Sequence, residues 1–131
     1  MNEALSKKLL DDFPHLFRDQ NTTSMQHGFE CGDGWFDLVY KLSRDIEAAA
    51  RESGLSPDSP EWPWCRQVKE KFGSLRFIVF AGDRPLGLDE RISELRLAAL
   101  NQSLQICEDC GKPGVLVTDH GMATLCPEHA R

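Results

Sequence analysis

Cys65-Arg-Gln-Val-Lys-Glu-Lys-Phe72, Gly73-Ser74 and Leu75-Arg-Phe-Ile-Val-Phe80 together form the stretch on which the fold turns. Two strand-like runs meet at Gly73-Ser74, a pair that suits a primed two-residue turn, so 65–80 reads as a β-hairpin. The second run is apolar at nearly every position and is expected to be buried on both faces.

Upstream, Pro57, Pro60 and Pro63 with Ser and Asp mark 55–63 as a surface linker. Before it, Trp35, Leu38, Val39, Leu42, Ile46 and Ala49 recur at three- and four-residue steps, which predicts a helix over 34–53. Asp33 is placed to cap its start, and Gly54 to stop it in a left-handed turn. Residues 15–34 carry little periodicity and read as loop, while Leu5, Leu9, Leu10 and Phe13 predict a helix over 3–13 that ends at Pro14. Downstream, a turn at 81–87 leads to Asp89 as cap of a helix through Ile92, Leu95, Ala99 and Ile106, spanning 89–106. The class is α+β, with helices packed on a small antiparallel sheet over 1–106 and an appended module over 107–131. Trp35, Leu42, Ile46, Phe77, Val79 and Leu95 are the expected core.

That module carries the strongest motif of the chain. Cys107-x2-Cys110 and Cys126-x2-His129 stand fifteen residues apart. Two residues between ligands let a tight knuckle aim both sulfurs at one ion, with Gly111 supplying the turn. A short hairpin, with Val115 to Thr118 leading out and Ala123 to Leu125 back, brings the second pair beside the first. The expected site is one structural zinc in a tetrahedral Cys3His shell, of zinc-ribbon or treble-clef-like type. Four protein ligands leave no position for an activated water. Such sites hold zinc with about 10 kcal/mol or more, which is folding energy.

Composition sets the remaining bounds. Apolar residues make up 40% and charged residues 27% of 131, as in a soluble globular protein. Neither a signal peptide nor a membrane-spanning run is visible, so a cytoplasmic location is expected. Five cysteines, most of them at metal-type positions, fit a reducing compartment better than a disulfide framework. Cys31 and Cys65 read as small buried hydrophobes. The net charge of −6 lies entirely in the first half: residues 1–64 hold six Lys/Arg against twelve Asp/Glu, and the rest hold nine of each. That sign disfavours non-specific binding to nucleic acid and leaves Asp33, Asp37, Asp45 and Glu52 as an expected contact surface for a basic partner.

Weaker constellations are each weighed against a plainer reading. Asp119-His120 sits where a zinc-braced ββ-metal nuclease carries its catalytic pair. Here, however, the gap is short and Ala130 replaces the usual Asn, so a polar turn explains it better. Gly28, Gly32 and Gly34 precede a helix, but Glu30, Asp33 and Asp37 would repel a phosphate there. Arg66, Lys69, Lys71 and Arg76, with Lys112 in the module, form an alternative nucleic-acid surface. Strand alternation puts Arg66 opposite Lys69 and Lys71, which favours solvated strand charges.

Gly28-Phe-Glu30, Gly32-Asp-Gly-Trp35, Val68-Lys-Glu-Lys-Phe-Gly-Ser-Leu-Arg-Phe77, Ile106-Cys-Glu-Asp-Cys-Gly-Lys-Pro-Gly114 and Thr124-Leu-Cys-Pro-Glu-His-Ala130 occur in order along the chain. The set resembles a family of short zinc-binding proteins frequent in phage, prophage and bacterial genomes. The proline-rich insert at 55–63 and Met122, in place of an aromatic residue, depart from it. The resemblance implies a zinc-binding protein of mobile genetic elements, working in the bacterial host cell, and carries no settled activity; the residues themselves offer no catalytic constellation, so a binding protein rather than an enzyme is expected. By association with genome context, the resemblance implies an inhibitor of a bacterial protein complex, for example an anti-CRISPR-like protein.

Overall fold

The computed structural model describes residues 1–131. Helix α1, Glu3–Asp12, begins at Asn2, whose side chain accepts from the Leu5 backbone N–H at 2.8 Å. That satisfies one of the helix's free N-terminal donors. The segment read as loop is more ordered than expected. It holds two 3-10 turns and a short strand β1, Phe29–Glu30, and it buries Leu16, Phe17, Met25, Phe29 and Cys31. A two-residue strand has no alternation to read.

Helix α2, Phe36–Glu52, follows a single 3-10 turn at Asp33–Trp35. It lays Leu38, Val39, Leu42, Ile46, Ala49 and Ala50 into the core. Its end is a Schellman turn: Gly54 takes φ +87°, and Leu55 N–H donates to Ala50 C=O at 3.2 Å. Asp33 does not cap this helix. Its carboxylate accepts from the backbone and side-chain N–H groups of Asn2 at 2.6 and 3.0 Å, fastening the start of α1 to the entry of α2. The linker reading of 55–63 also needs correction, because Trp62 and Pro63 are buried. Trp62 Nε1 donates to the buried Glu47 carboxylate at 2.9 Å, and burial holds that carboxyl above its ordinary range.

Strands β2, Cys65–Lys71, and β3, Ser74–Val79, form the expected hairpin, with a bulge at Cys65–Gln67. The turn residues are Phe72-Gly73, one place earlier than the sequence suggests. Both have positive φ, +55° and +79°, as a type I′ turn requires. The Lys71–Ser74 pair closes the ladder, and the Glu70 carboxylate accepts from Gly73 N–H at 2.7 Å. β1 adds to β2 in parallel, so this sheet is mixed, with order β1-β2-β3. Nor is β3 buried on both faces. Leu75 and Phe77 enter the core, while Arg76 and Ile78 are half-exposed on the other side.

Helix α3, Leu86–Ser103, starts after Pro85, three residues before the expected cap. Asp89 lies inside the helix and accepts from Arg84 Nε at 2.8 Å. The helix runs along the free edge of β3. Leu75 N–H donates to Ser103 Oγ at 2.9 Å, and Arg96 Nε donates to Phe77 C=O at 2.6 Å. Outward-facing strand groups are thus paired and the edge is covered. The helix stops at Ser103, and 3-10-type bonds carry the chain through Leu104–Ile106 to Cys107.

Trp35, Leu42, Ile46 and Phe77 belong to one core of 22 buried residues, with Val79 and Leu95 partly buried against it. Beyond it, β4, Val115–Val117, pairs antiparallel with β5, Ala123–Leu125. A small second cluster forms there from Cys107, Leu125 and Cys126. No helix is long and apolar enough to cross a membrane.

Candidate metal centre

Cys107 and Cys110 sit on a knuckle closed by two short bonds. Cys107 N–H donates to Lys112 C=O at 2.7 Å, and Gly111 N–H donates to Cys107 C=O at 2.8 Å. Gly111 makes the turn at φ +82°, in the left-handed region. β4 and β5 then carry the chain out and back, and His129 N–H closes a second turn on Cys126 C=O at 3.1 Å. The four ligand atoms lie within 4.8 Å of one another. Cys110 Sγ and Cys126 Sγ are 3.6 Å apart, and His129 Nδ1 stands 3.8 Å from Cys107 Sγ and 3.1 Å from Cys126 Sγ. Two thiolates about 2.3 Å from a shared tetrahedral ion are about 3.8 Å apart, so the cage has the dimensions zinc requires. Burial pushes the Cys126 thiol up, but hydrogen bonds with His129 and the neighbouring thiols outweigh it and hold the group at about 6. It is therefore ready to ligate as thiolate at neutral pH.

The knuckle is fastened to the entry of α2. Gly34 N–H donates to Glu108 C=O at 2.7 Å, Gly32 N–H to the Glu108 carboxylate at 2.9 Å, and Trp35 Nε1 to Ile106 C=O at 2.9 Å. Burial raises the Glu108 carboxyl, against the pull of the Gly32 bond. From the other side, Thr124 Oγ1 donates to Gly73 C=O at 2.7 Å, joining β5 to the tip of the first hairpin. These contacts explain Gly32 and Gly34, which leave room for the knuckle backbone, while a Cβ on Gly28 would meet nothing within 4 Å. A Cβ on Gly34 would lie 2.5 Å from Gly111 N and 2.6 Å from Glu108 O. Gly34→Ala should therefore cost about 1–3 kcal/mol or more and weaken metal retention. Gly87→Ala meets nothing within 4 Å and serves as the control. Denaturant melts and metal competition on both variants check this; equal stability would show that the knuckle yields freely.

Comparison with family models, curated proteins and solved structures finds no match.

Of the other residues singled out in the sequence, most are dispersed and three strand cations converge. His120 is exposed in the β4–β5 turn beside Asp119, outside the group of four ligands. Asp33 is engaged by Asn2, and Asp45 lies 3.3 Å from Arg44. Asp37, Asp45 and Glu52 share one face of α2 with Lys41, Arg44 and Arg51, so that face is of mixed charge. Lys112 is 3.7 Å from Glu128, and Arg66 is exposed at the β2 bulge. Lys69, Lys71 and Arg76 are brought together, because the register sets Lys69 directly opposite Arg76. Cys31 and Cys65 are buried; burial raises the Cys31 thiol to about 12 and pushes the Cys65 thiol higher still. Sequence reasoning missed Arg96, which joins the strand cations from α3, since only tertiary packing brings it there.

Proposed function

We propose that this chain is a zinc-stabilised binding protein, in which the metal shapes a contact surface and association, rather than turnover, carries the activity. One observation supports this above the rest: the Sγ atoms of Cys107, Cys110 and Cys126 and a ring nitrogen of His129 lie within 4.8 Å of one another, enough to fill a tetrahedral shell, on a backbone bonded into the core at Gly34 and Trp35. A shell so filled offers no position for a reacting water. The order of knuckle, hairpin and turn favours a treble-clef-like module.

The rim of this module is the favoured contact surface. Val115, Leu116 and Met122 are exposed there, and Phe72 is 60% exposed at the adjoining hairpin tip. Phe72 also holds a left-handed conformation that costs a non-glycine residue about 1–2 kcal/mol. Strain at an exposed aromatic residue is a common mark of a binding site. The mixed-charge face of α2, with Asp37, Asp45 and Glu52, is the weaker surface. The partner is a bacterial protein complex and the outcome its inhibition, in the manner of an anti-defence protein; family resemblance alone supports that identity.

Capture from bacterial lysate, read by mass spectrometry, tests the reading. Phe72→Asp should lose the partner that wild type retains, while His120→Ala should keep it. Plasmid and single-stranded DNA incubated with magnesium or manganese should remain intact. Cleavage that vanishes in His120→Ala would replace the binding protein with a nuclease.

A further inference from the structure

Between the outer face of the hairpin and α3 lies an open cleft of about 390 Å³. Lys69 and Lys71 enter it from β2, Arg76 from β3 and Arg96 from α3, and no carboxylate lines it. The chain as a whole is acidic, and most of its cations are matched. Lys7, Lys8, Arg44, Arg51, Arg84, Arg91, Lys112 and Arg131 each stand within ion-pair distance of an acid. Of the seven cations left, four converge here.

That convergence is costly in the free protein. Lys69 faces Arg76 across one ladder, where like charges destabilise a sheet, and Glu30 across the other, which offsets part of that cost. Arg96 is half-buried, and its Nε bond to Phe77 C=O fixes the plane of its guanidinium without supplying a counter-charge. Leu97, at the lip of the cleft, is 60% exposed. Four cations outside ion-pair distance of any acid, beside an uncovered aliphatic residue, make a site for a compact, multiply charged anion with an organic body. Planar guanidinium forks suit phosphate oxygens, and phosphates concentrate more charge than a single carboxylate can. The volume lies within the range of about 300–1,000 Å³ usual for small-ligand sites.

We propose that this cleft binds a nucleoside phosphate, with the phosphates held by Lys69, Lys71, Arg76 and Arg96 and the nucleoside resting on Leu97 and Leu100. The site meets the rim at Lys71, whose Nζ lies 5.5 Å from the centre of the Phe72 ring, but Lys69, Arg76 and Arg96 lie outside that rim, so variants at Lys69 and Arg76 test it independently of the reading above. The ligand can be a free nucleotide or one unit of a single strand, since both present the same chemistry.

Calorimetric titration of the zinc-loaded full chain with ATP, AMP, inorganic phosphate and a short oligothymidylate tests the proposal. ATP or oligothymidylate should bind saturably and more weakly as salt rises. Each of Lys69→Gln and Arg76→Gln should lower that affinity about tenfold, as expected for a lost charged hydrogen bond, and Arg66→Gln should not. Because both heads are at least partly exposed, these variants should fold; unchanged melting curves verify that. Arg96→Gln is the less clean variant, since it also frees the edge of β3. Oligothymidylate that displaces ATP assigns the site to strand nucleotides, and failure to displace assigns it to the free form. Absence of saturable binding by both, inorganic phosphate binding as tightly as ATP, or undiminished affinity in Lys69→Gln and Arg76→Gln would overturn the proposal.

Discussion

Replacing Cys110 or Cys126 by Ser should strip the metal and lower the melting temperature of the whole chain, not only of its last residues. Wild type should carry about one zinc per chain, as a single four-ligand shell dictates. Structural zinc contributes about 10–16 kcal/mol in isolated modules, comparable with the entire stability of a small domain. The effect spreads because the knuckle backbone supplies the acceptors for Gly34 N–H and Trp35 Nε1 at the entry of α2. Loss of the ion loosens Ile106 and Glu108 and leaves those donors without fixed partners. Elemental analysis and thermal melts with and without chelator measure both parts. A Cys110→Ser protein with full zinc and unchanged melting would show that the ligands lie elsewhere.

Trp35→Ala should be the most damaging single change away from the ligands. The indole is fully buried, and its removal should cost about 3–5 kcal/mol through lost burial and the cavity left behind. Ile106 C=O, immediately before Cys107, also loses its donor, so zinc affinity should fall together with stability. Trp35→Phe separates the two effects: it keeps much of the ring volume and removes the N–H. Urea unfolding gives the first quantity, and competition with a chromogenic chelator gives the second. A cost for Trp35→Ala below about 1 kcal/mol would be inconsistent with a packed core residue.

The metal centre was legible because its signal is local. Cys107, Cys110, Cys126 and His129 stand in two spaced pairs, and the hairpin between them follows from the gap. The helices were legible from their apolar stripes, and Gly54 from its place just after the stripe of α2. What escaped depends on distant partners. Asp33 looks like a cap until Asn2 is beside it, and only the docked knuckle explains Gly34. The turn at Phe72-Gly73 was misplaced by one residue because a bulky aromatic residue at positive φ runs against local preference. The strand cations seemed divided, yet pairing with β3 put Arg76 beside Lys69, and α3 added Arg96.

The bonds from Ile106 and Glu108 to Trp35 and Gly32 cross 71 and 76 residues of sequence. On a ribosome adding about 5–20 residues each second, the entry of α2 emerges roughly 4–15 s before the knuckle that holds it. Through that interval Trp35 gains its apolar neighbours one element at a time but has no acceptor for its indole. The amino-terminal helices can collapse early, but the bonds to the knuckle wait until the last ligand pair, Cys126 and His129, is made and loaded. Translation that stalls short of Cys126 would release a chain with its core residues present and its clamp missing. Such a product is a natural substrate for chaperones and proteases. Zinc loading at this site would therefore act on the protein at the moment of synthesis, by setting how long each new copy stays open.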